Sequence, residues 1–97
     1  MIPRYRRPTT PGQILHHEFL VPLRMTQKRL ADHIGCDVKV INRIVNGRSS
    51  VTAEMALKLG AAFGMTPDFW LNAQKACDLY DATKSAGRLP GSLLHAG

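Results

Sequence analysis

Residues 26–47 constrain the fold of this chain more than any other stretch, because they place two short amphipathic helices on either side of a very short turn. Gly35 lies in the turn, and glycine accepts the left-handed backbone that a sharp reversal requires. Ala31 on the first helix is small enough for the second helix to cross closely over it. Leu30 and Ile41 supply apolar contact between the two helices. This combination predicts a helix-turn-helix motif.

Capping residues and hydrophobic spacing predict helices along most of the chain. The predicted N-terminal caps are Thr10, Thr26, Asp37, Thr52 and Thr66. Pro22 should end the first helix. The fifth helix should extend to about Thr83, and its inward-facing residues should be Phe69, Trp70, Ala73, Cys77 and Tyr80. No segment alternates with a two-residue period, so no strand is predicted. We therefore expect an all-α fold of five helices over residues 10–84, with a flexible basic arm over residues 1–9 and a loose tail over residues 85–97.

The excess positive charge of the chain lies in its first half. The chain has 13 Lys and Arg residues against 7 Asp and Glu residues, which gives a formal net charge of +6. Residues 1–50 hold nine of the basic residues and three of the acidic ones, and so account for the whole excess. A basic half on a small domain indicates a polyanionic partner, most often nucleic acid.

Other classes of protein are disfavoured by what the sequence lacks. Residues 8–17 form the longest stretch without Asp, Glu, Lys or Arg; they are mostly polar, whereas a membrane span needs about 20 apolar residues. No apolar segment typical of a secretory signal follows the first arginines, and the two cysteines lack metal-ligand or disulfide-framework spacing. The adjacent His16 and His17 point in different directions on a helix, so they cannot bind a metal together. Asp78 and Asp81 should lie on a solvated face of the fifth helix, and no pocket is implied beside them. We therefore expect a cytoplasmic protein without membrane contact, metal, cofactor or enzyme activity.

The geometry of a helix-turn-helix assigns DNA contacts to particular residues, because its second helix lies in the major groove with its N-terminal residues on base edges. Val38 is suited to a thymine methyl, Lys39 and Arg43 to guanine O6 and N7, and Asn42 to adenine or a phosphate. Gln27, at the start of the preceding helix, should face a phosphate or a flanking base. Further candidate phosphate contacts are Lys28, Asn46 and Arg48. The competing interpretation is that all of these are ordinary solvated side chains.

Dimerisation is expected because one such domain makes too little contact for strong specific binding. A dimer would contact two half-sites about 34 Å apart. The last predicted helix is apolar around more than one face, which indicates burial against a second chain. The predicted interface residues are Trp70, Leu71, Ala73, Cys77 and Tyr80, with Leu79 on the same helix. The alternative is that this helix packs over the first and fourth helices of its own chain.

Residues 26–47 resemble the helix-turn-helix of the phage-repressor-like group, also called the Cro/C1 or XRE type, which implies a lambda-repressor-like fold. The segments PGQILHHEFLVPL (11–23) and VNGRSSVTAEMALKLGAAFGMTPDFWLNAQKACDLYDA (45–82) resemble HigA-type antitoxins, so the resemblance covers about residues 8–83. The run TPDFWLNAQ (66–74) is the specific part, because general repressors lack it. The resemblance implies a bacterial type II toxin–antitoxin module. In such a module, a homodimer would repress the shared promoter at a double-stranded DNA operator and bind a HigB-type toxin that cleaves mRNA.

The chain departs from the family's pattern at two places. Lys28 and Arg29 stand where relatives often carry acidic or small polar residues. Asp37 caps the second helix of the motif, where Ser or Thr is commoner, and it brings a negative charge close to DNA. The positive end of the helix dipole would offset that charge.

Three roles stay open for the arginines of the arm, which are Arg4, Arg6 and Arg7. They are suited to the minor groove of bound DNA, to a surface of the toxin, or simply to keeping the chain soluble. Two alternatives to the antitoxin function also stay open. One is a free-standing XRE-type repressor without a toxin partner, and the other is a protein-interaction module that has lost DNA binding.

Overall fold

The computed structural model describes residues 6–94, and within that range it contains helices and no strands. The elements are α1 (Pro11–Ile14), which continues as a π-helical segment (Leu15–Leu20), then α2 (Gln27–Ile34), α3 (Val38–Val45), α4 (Ala53–Phe63) and α5 (Pro67–Ala86). The predicted all-α fold with five helices is confirmed. Residues 1–5 of the predicted arm, including Arg4, and residues 95–97 of the predicted tail lie outside the described residues. None of the described helices is long and apolar enough to cross a lipid bilayer.

The predicted caps begin the helices. The Thr10 hydroxyl accepts a hydrogen bond from the Gln13 backbone N–H at 3.0 Å, and the Gln13 side-chain oxygen accepts one from the Thr10 N–H at 2.9 Å. Each side chain thus gives the other residue's backbone N–H a hydrogen-bond partner. The Asp37 carboxylate accepts the Lys39 N–H at 2.8 Å at the start of α3. Thr66 precedes α5 without a side-chain hydrogen bond, and there Pro67 opens the helix. Local sequence signals therefore fix where the helices begin.

The π-helical segment was not predicted. The Val21 N–H bonds to the His16 carbonyl at 2.9 Å, which is a five-residue step instead of the four of an α-helix. Leu15 and Leu20 are both buried, and five residues would set them about 140° apart on an α-helix. The wider turn brings both leucines to the core, and the helix ends before Pro22 as expected.

An aromatic cluster closes the core at the start of α5. Trp70 is fully buried, and its ring lies 5.5 Å from Phe19 and 6.4 Å from Phe63 between centroids. Such pairs add about 0.5–1.5 kcal/mol each beyond the burial of their area. The remaining buried core residues around it are Leu15, Leu20, Leu30, Ala31, Ile41, Ile44, Val51, Met55, Ala56 and Leu59. One core thus holds α1 to α4 against the first turns of α5.

The helices α1 and α3 approach each other most closely at Gly12. A β-carbon at Gly12 would overlap the Ile44 carbonyl oxygen and lie 2.9 Å from the Val45 α-carbon. Ordinary carbon–carbon contacts lie at about 3.5–4.0 Å, so only glycine fits between these backbones. Gly12 therefore sets the position of the C-terminal half of α3 against the rest of the protein.

Candidate nucleic-acid interface

One side of the helix α3 packs into the core, and the opposite side is exposed to solvent. Ile41 and Ile44 are 0 % and 3 % exposed and join the core. Lys39, Asn42 and Arg43 lie on the opposite side and are exposed. The half-buried residues between the two sides are Val38, Val40 and Val45. Val38, one of the predicted base contacts, therefore packs partly against the core and exposes only the rest of its side chain to solvent.

The turn between α2 and α3 has the conformation that Gly35 predicted. Gly35 has a φ of 76°, and both its N–H and that of Cys36 bond to the Ala31 carbonyl at 2.9 Å. Ala31 itself is fully buried under the crossing helix. The helix-turn-helix prediction is confirmed, and the rigid turn fixes the angle at which α3 leaves α2.

The basic side chains of this surface differ in their partners. Lys39, Arg43 and Arg48 are exposed, and no carboxylate within residues 6–94 comes within 4.0 Å of them. Lys28 instead bonds to Asp32 one turn further along α2 at 2.6 Å. An exposed ion pair of this kind contributes little to stability, and the Asp32 carboxylate partly neutralises the positive charge of Lys28. Among the predicted contacts, the cations without a carboxylate partner therefore lie on α3 and on the loop after it.

Three amide side chains link α2 to α3 across the exposed side, and we call them the amide relay. The Asn42 amide nitrogen donates to the Gln27 side-chain oxygen at 3.1 Å. The Asn46 amide nitrogen donates to the Asn42 side-chain oxygen at 3.2 Å. Sequence reasoning named all three residues as separate DNA contacts and missed their connection. The four-residue spacing of Asn42 and Asn46 was the one available signal.

Part of the predicted arm lies along α5. The Arg7 guanidinium makes two hydrogen bonds to the Asp81 carboxylate, at 2.9 and 2.8 Å, and this contact lowers the pKa of Asp81. The Cys77 thiol donates to the Pro8 carbonyl at 3.4 Å, and burial raises the pKa of that thiol. Arg6 is exposed. The sequence placed Asp81 on a solvated face, where it is indeed exposed, but gave no signal of its distant partner.

The loop that follows α3 is also anchored on α5. The Val51 N–H donates to the Gln74 side-chain oxygen at 3.0 Å, and the Gln74 amide nitrogen donates to Asp78 at 3.0 Å. Arg48 lies in this loop and lines a polar cleft of about 200 Å³ between the loop, residues 7–12 and α5. Asp78 and Asp81 line the same cleft, although the sequence implied no pocket beside them. The helix α5 thus supports the segment that presents Arg48.

The residues predicted for a dimer interface fall into two groups. Trp70 and Cys77 are 0 % exposed and Tyr80 is 9 % exposed within a single chain, so assigning them to a surface between two chains needs correction. Their apolar side chains pack inside their own chain, which was the stated alternative for this helix. Leu71 and Ala73 are half-buried and keep surface for a partner. The large exposed apolar side chains of α5 are Phe69 and Leu79, and Phe69 was expected to point inward.

Comparisons with known proteins agree with this geometry. The sequence pattern of the helix-turn-helix family matches residues 17–70. The chain is 46 % identical to antitoxin HigA-1 of Vibrio cholerae over 76 residues, which cover 78 % of this chain and 71 % of that protein. It is 45 % identical, with the same coverage, to an uncharacterised helix-turn-helix transcriptional regulator of Haemophilus influenzae. Its fold resembles Pseudomonas aeruginosa antitoxin HigA solved with the higBA promoter, with a TM-score of 0.81, 30 % identity and coverage of 91 % and 100 % of the two chains.

Proposed function

Because this chain belongs to the helix-turn-helix family of HigA-type antitoxins, we propose that it binds an operator upstream of its own gene and neutralises a HigB-type toxin by direct contact. The observation that carries the DNA-binding half is the outer side of α3. There Lys39 and Arg43 are exposed and without a carboxylate partner in the described chain, while Ile41 and Ile44 anchor the opposite side. A rigid helix with two free cations on its outer side fits the major groove of DNA.

The proposed contacts divide into base and phosphate contacts. Arg43 and Lys39 donate to guanine edges, and the exposed part of Val38 contacts a thymine methyl. Lys28 and Arg48 contact phosphates, as do the amides of the relay at its Gln27 end. The P. aeruginosa antitoxin solved with its promoter supports this role, since its fold is similar over 91 % of this chain.

The proposal includes a homodimer, because a single α3 spans only part of one turn of DNA. Two copies would place two α3 helices about 34 Å apart on half-sites related by two-fold symmetry. The surface of α5 supports this arrangement, since Phe69 is 36 % and Leu79 is 49 % exposed and Leu71 and Ala73 on the same helix are only half-buried. Exposed apolar groups of this kind favour contact with another chain.

The toxin-binding half of the proposal rests on the family. The Vibrio cholerae relative is named as an antitoxin and shares 46 % of the aligned residues. The partner we propose is therefore a HigB-type toxin that cleaves mRNA, encoded beside this gene, and the site of action is the cytoplasm. The Haemophilus influenzae relative favours a second candidate, a free-standing XRE-type repressor without a toxin, because it is named only as a transcriptional regulator.

Co-expression with the adjacent gene tests the two candidates. A tag on the neighbouring protein should retain this chain through purification, and the complex or the free chain should retard a duplex from upstream of the gene. A scrambled duplex of equal length and composition is the control. Retardation of the upstream duplex without co-purification would support the free-standing repressor. Equal retardation of both duplexes would refute sequence-specific DNA binding altogether.

A further inference from the structure

We propose that Asn42 is a positioning residue that acts on DNA through Gln27 and does not itself contact a base, an inference that rests on the proposed DNA-binding function. The observation behind it is the amide relay, in which Asn42 bonds to Gln27 on one side and to Asn46 on the other. Asn42 is exposed, and in the sequence of α3 it stands between Lys39 and Arg43, the two cations proposed to contact bases. Its position alone predicts base contact, whereas its partners indicate a different role.

Counting donors and acceptors shows what the relay leaves free. A side-chain amide has two N–H donors and one oxygen with two lone pairs. Asn42 uses one donor for Gln27 and one lone pair for Asn46. Gln27 uses only its oxygen in the relay, so both of its N–H groups stay available. The relay therefore has a direction: two of its four free N–H donors lie on Gln27 at the start of α2, and one lies on each asparagine.

That direction matches the chemistry of a phosphate. A phosphate oxygen only accepts hydrogen bonds, and the N-terminus of a helix already favours an anion through its free backbone N–H groups and its dipole. If the Gln27 amide were reversed, its oxygen would face the phosphate and repel it. In the structure, the hydrogen bond that Asn42 donates holds the Gln27 oxygen inward along the relay, which leaves the Gln27 N–H groups for the phosphate.

Turning Asn42 toward a base would undo this arrangement. An asparagine that recognises adenine directs both its oxygen and its nitrogen at the base edge. Such a rotation would break the hydrogen bonds to both Gln27 and Asn46 and would free the Gln27 side chain to rotate. The relay also joins α2 to α3 on the exposed side, opposite the buried contact of Ala31 with the crossing helix. Asn42 therefore keeps the phosphate-contacting end of α2 in register with the base-contacting side of α3.

A double-mutant cycle on DNA affinity tests the proposal, with the duplex from upstream of the gene as the probe. Gln27→Ala and Asn42→Ala should each weaken binding about tenfold, the effect of losing one well-placed hydrogen bond. The double variant should also be about tenfold weaker, since removing Gln27 already removes what Asn42 does. Thermal midpoints within about 3 °C of the parent would show that the exposed substitutions leave the fold intact.

The matched control combines Gln27→Ala with Arg48→Ala, because Arg48 lies outside the relay. Those two losses should multiply. If the losses from Gln27→Ala and Asn42→Ala also multiply, to about a hundredfold, the two residues act independently and the proposal is wrong. It is equally wrong if Asn42→Ala abolishes the preference for one base pair of the probe, because that is the effect of a base contact. If the parent chain binds a scrambled duplex as tightly as the upstream duplex, the proposed function is wrong, and so is the role proposed for Asn42.

Discussion

Replacing Gly12 by alanine should destabilise the protein by displacing α3 from α1. The new β-carbon would overlap the Ile44 carbonyl oxygen and lie 2.8 Å from the carbon of the same group. These are backbone atoms of a helix, so no side chain can rotate away, and one helix must move by roughly 1 Å or more to reach ordinary contact distances. Overpacking of this kind costs about 1–3 kcal/mol, and the upper end applies when the obstacle is backbone.

The helix propensity of alanine offsets part of that cost. Alanine is about 0.5–1 kcal/mol better than glycine within a helix, which leaves a net loss of about 2 kcal/mol. For a chain of 97 residues, such a loss lowers the thermal midpoint by about 8–16 °C. Thermal unfolding followed by circular dichroism at the helix band measures it directly. Operator affinity should fall as well, because the displaced residues belong to α3.

Gly91 supplies the matched control. A β-carbon at Gly91 meets no atom within 4 Å, so Gly91→Ala should leave the thermal midpoint unchanged. If Gly12→Ala unfolds at or above the temperature of the parent, helix propensity outweighs the clash. The close approach of α1 to α3 would then not be what positions α3.

Three further predictions concern the loop, the core and the arm. Arg48→Ala should weaken binding to all DNA sequences alike and reduce the slope of log affinity against log salt by about one unit, and an unchanged slope would remove Arg48 from the interface. Trp70→Ala should cost about 3–5 kcal/mol in a denaturant titration, because the ring is fully buried, and a loss well below 1 kcal/mol would contradict its place in the core. Asp81→Asn should lower stability at neutral pH. Because Arg7 lowers the pKa of folded Asp81, this contribution is present above the unfolded pKa of about 3.9 and disappears as pH falls through the folded value. A difference between parent and variant that persists in acid would show that another interaction is involved.

The sequence predicted the features that depend on neighbouring residues. The caps Thr10 and Asp37 and the turn at Gly35 act within a few residues, and the structure confirms all three. Apolar spacing also predicted that Trp70 and Cys77 are buried. It did not show against what they pack, since a helix that is apolar on several faces can be covered by its own chain or by a second one.

The features that were missed depend on residues far apart in the chain. Arg7 and Asp81 are separated by 74 positions, and Gln27 and Asn42 by 15. Gly12 was predicted only to lie at the start of a helix, whereas its function is set by the α3 backbone that lies against it. Such contacts arise from the packing of complete helices, and no local pattern encodes them.

The central claim is that the outer side of α3 docks into the groove of operator DNA, and Arg43→Ala tests it most directly. The measurement is the affinity of the parent, of Arg43→Ala and of Lys75→Ala for the upstream duplex and for a scrambled one. Lys75→Ala removes the same unit of charge from an exposed position on α5. We predict that Arg43→Ala weakens binding to the upstream duplex by about 1–3 kcal/mol and reduces the preference over the scrambled duplex, while Lys75→Ala preserves that preference. Equal affinities for the parent and Arg43→Ala, or equal losses in the two variants, would contradict the account.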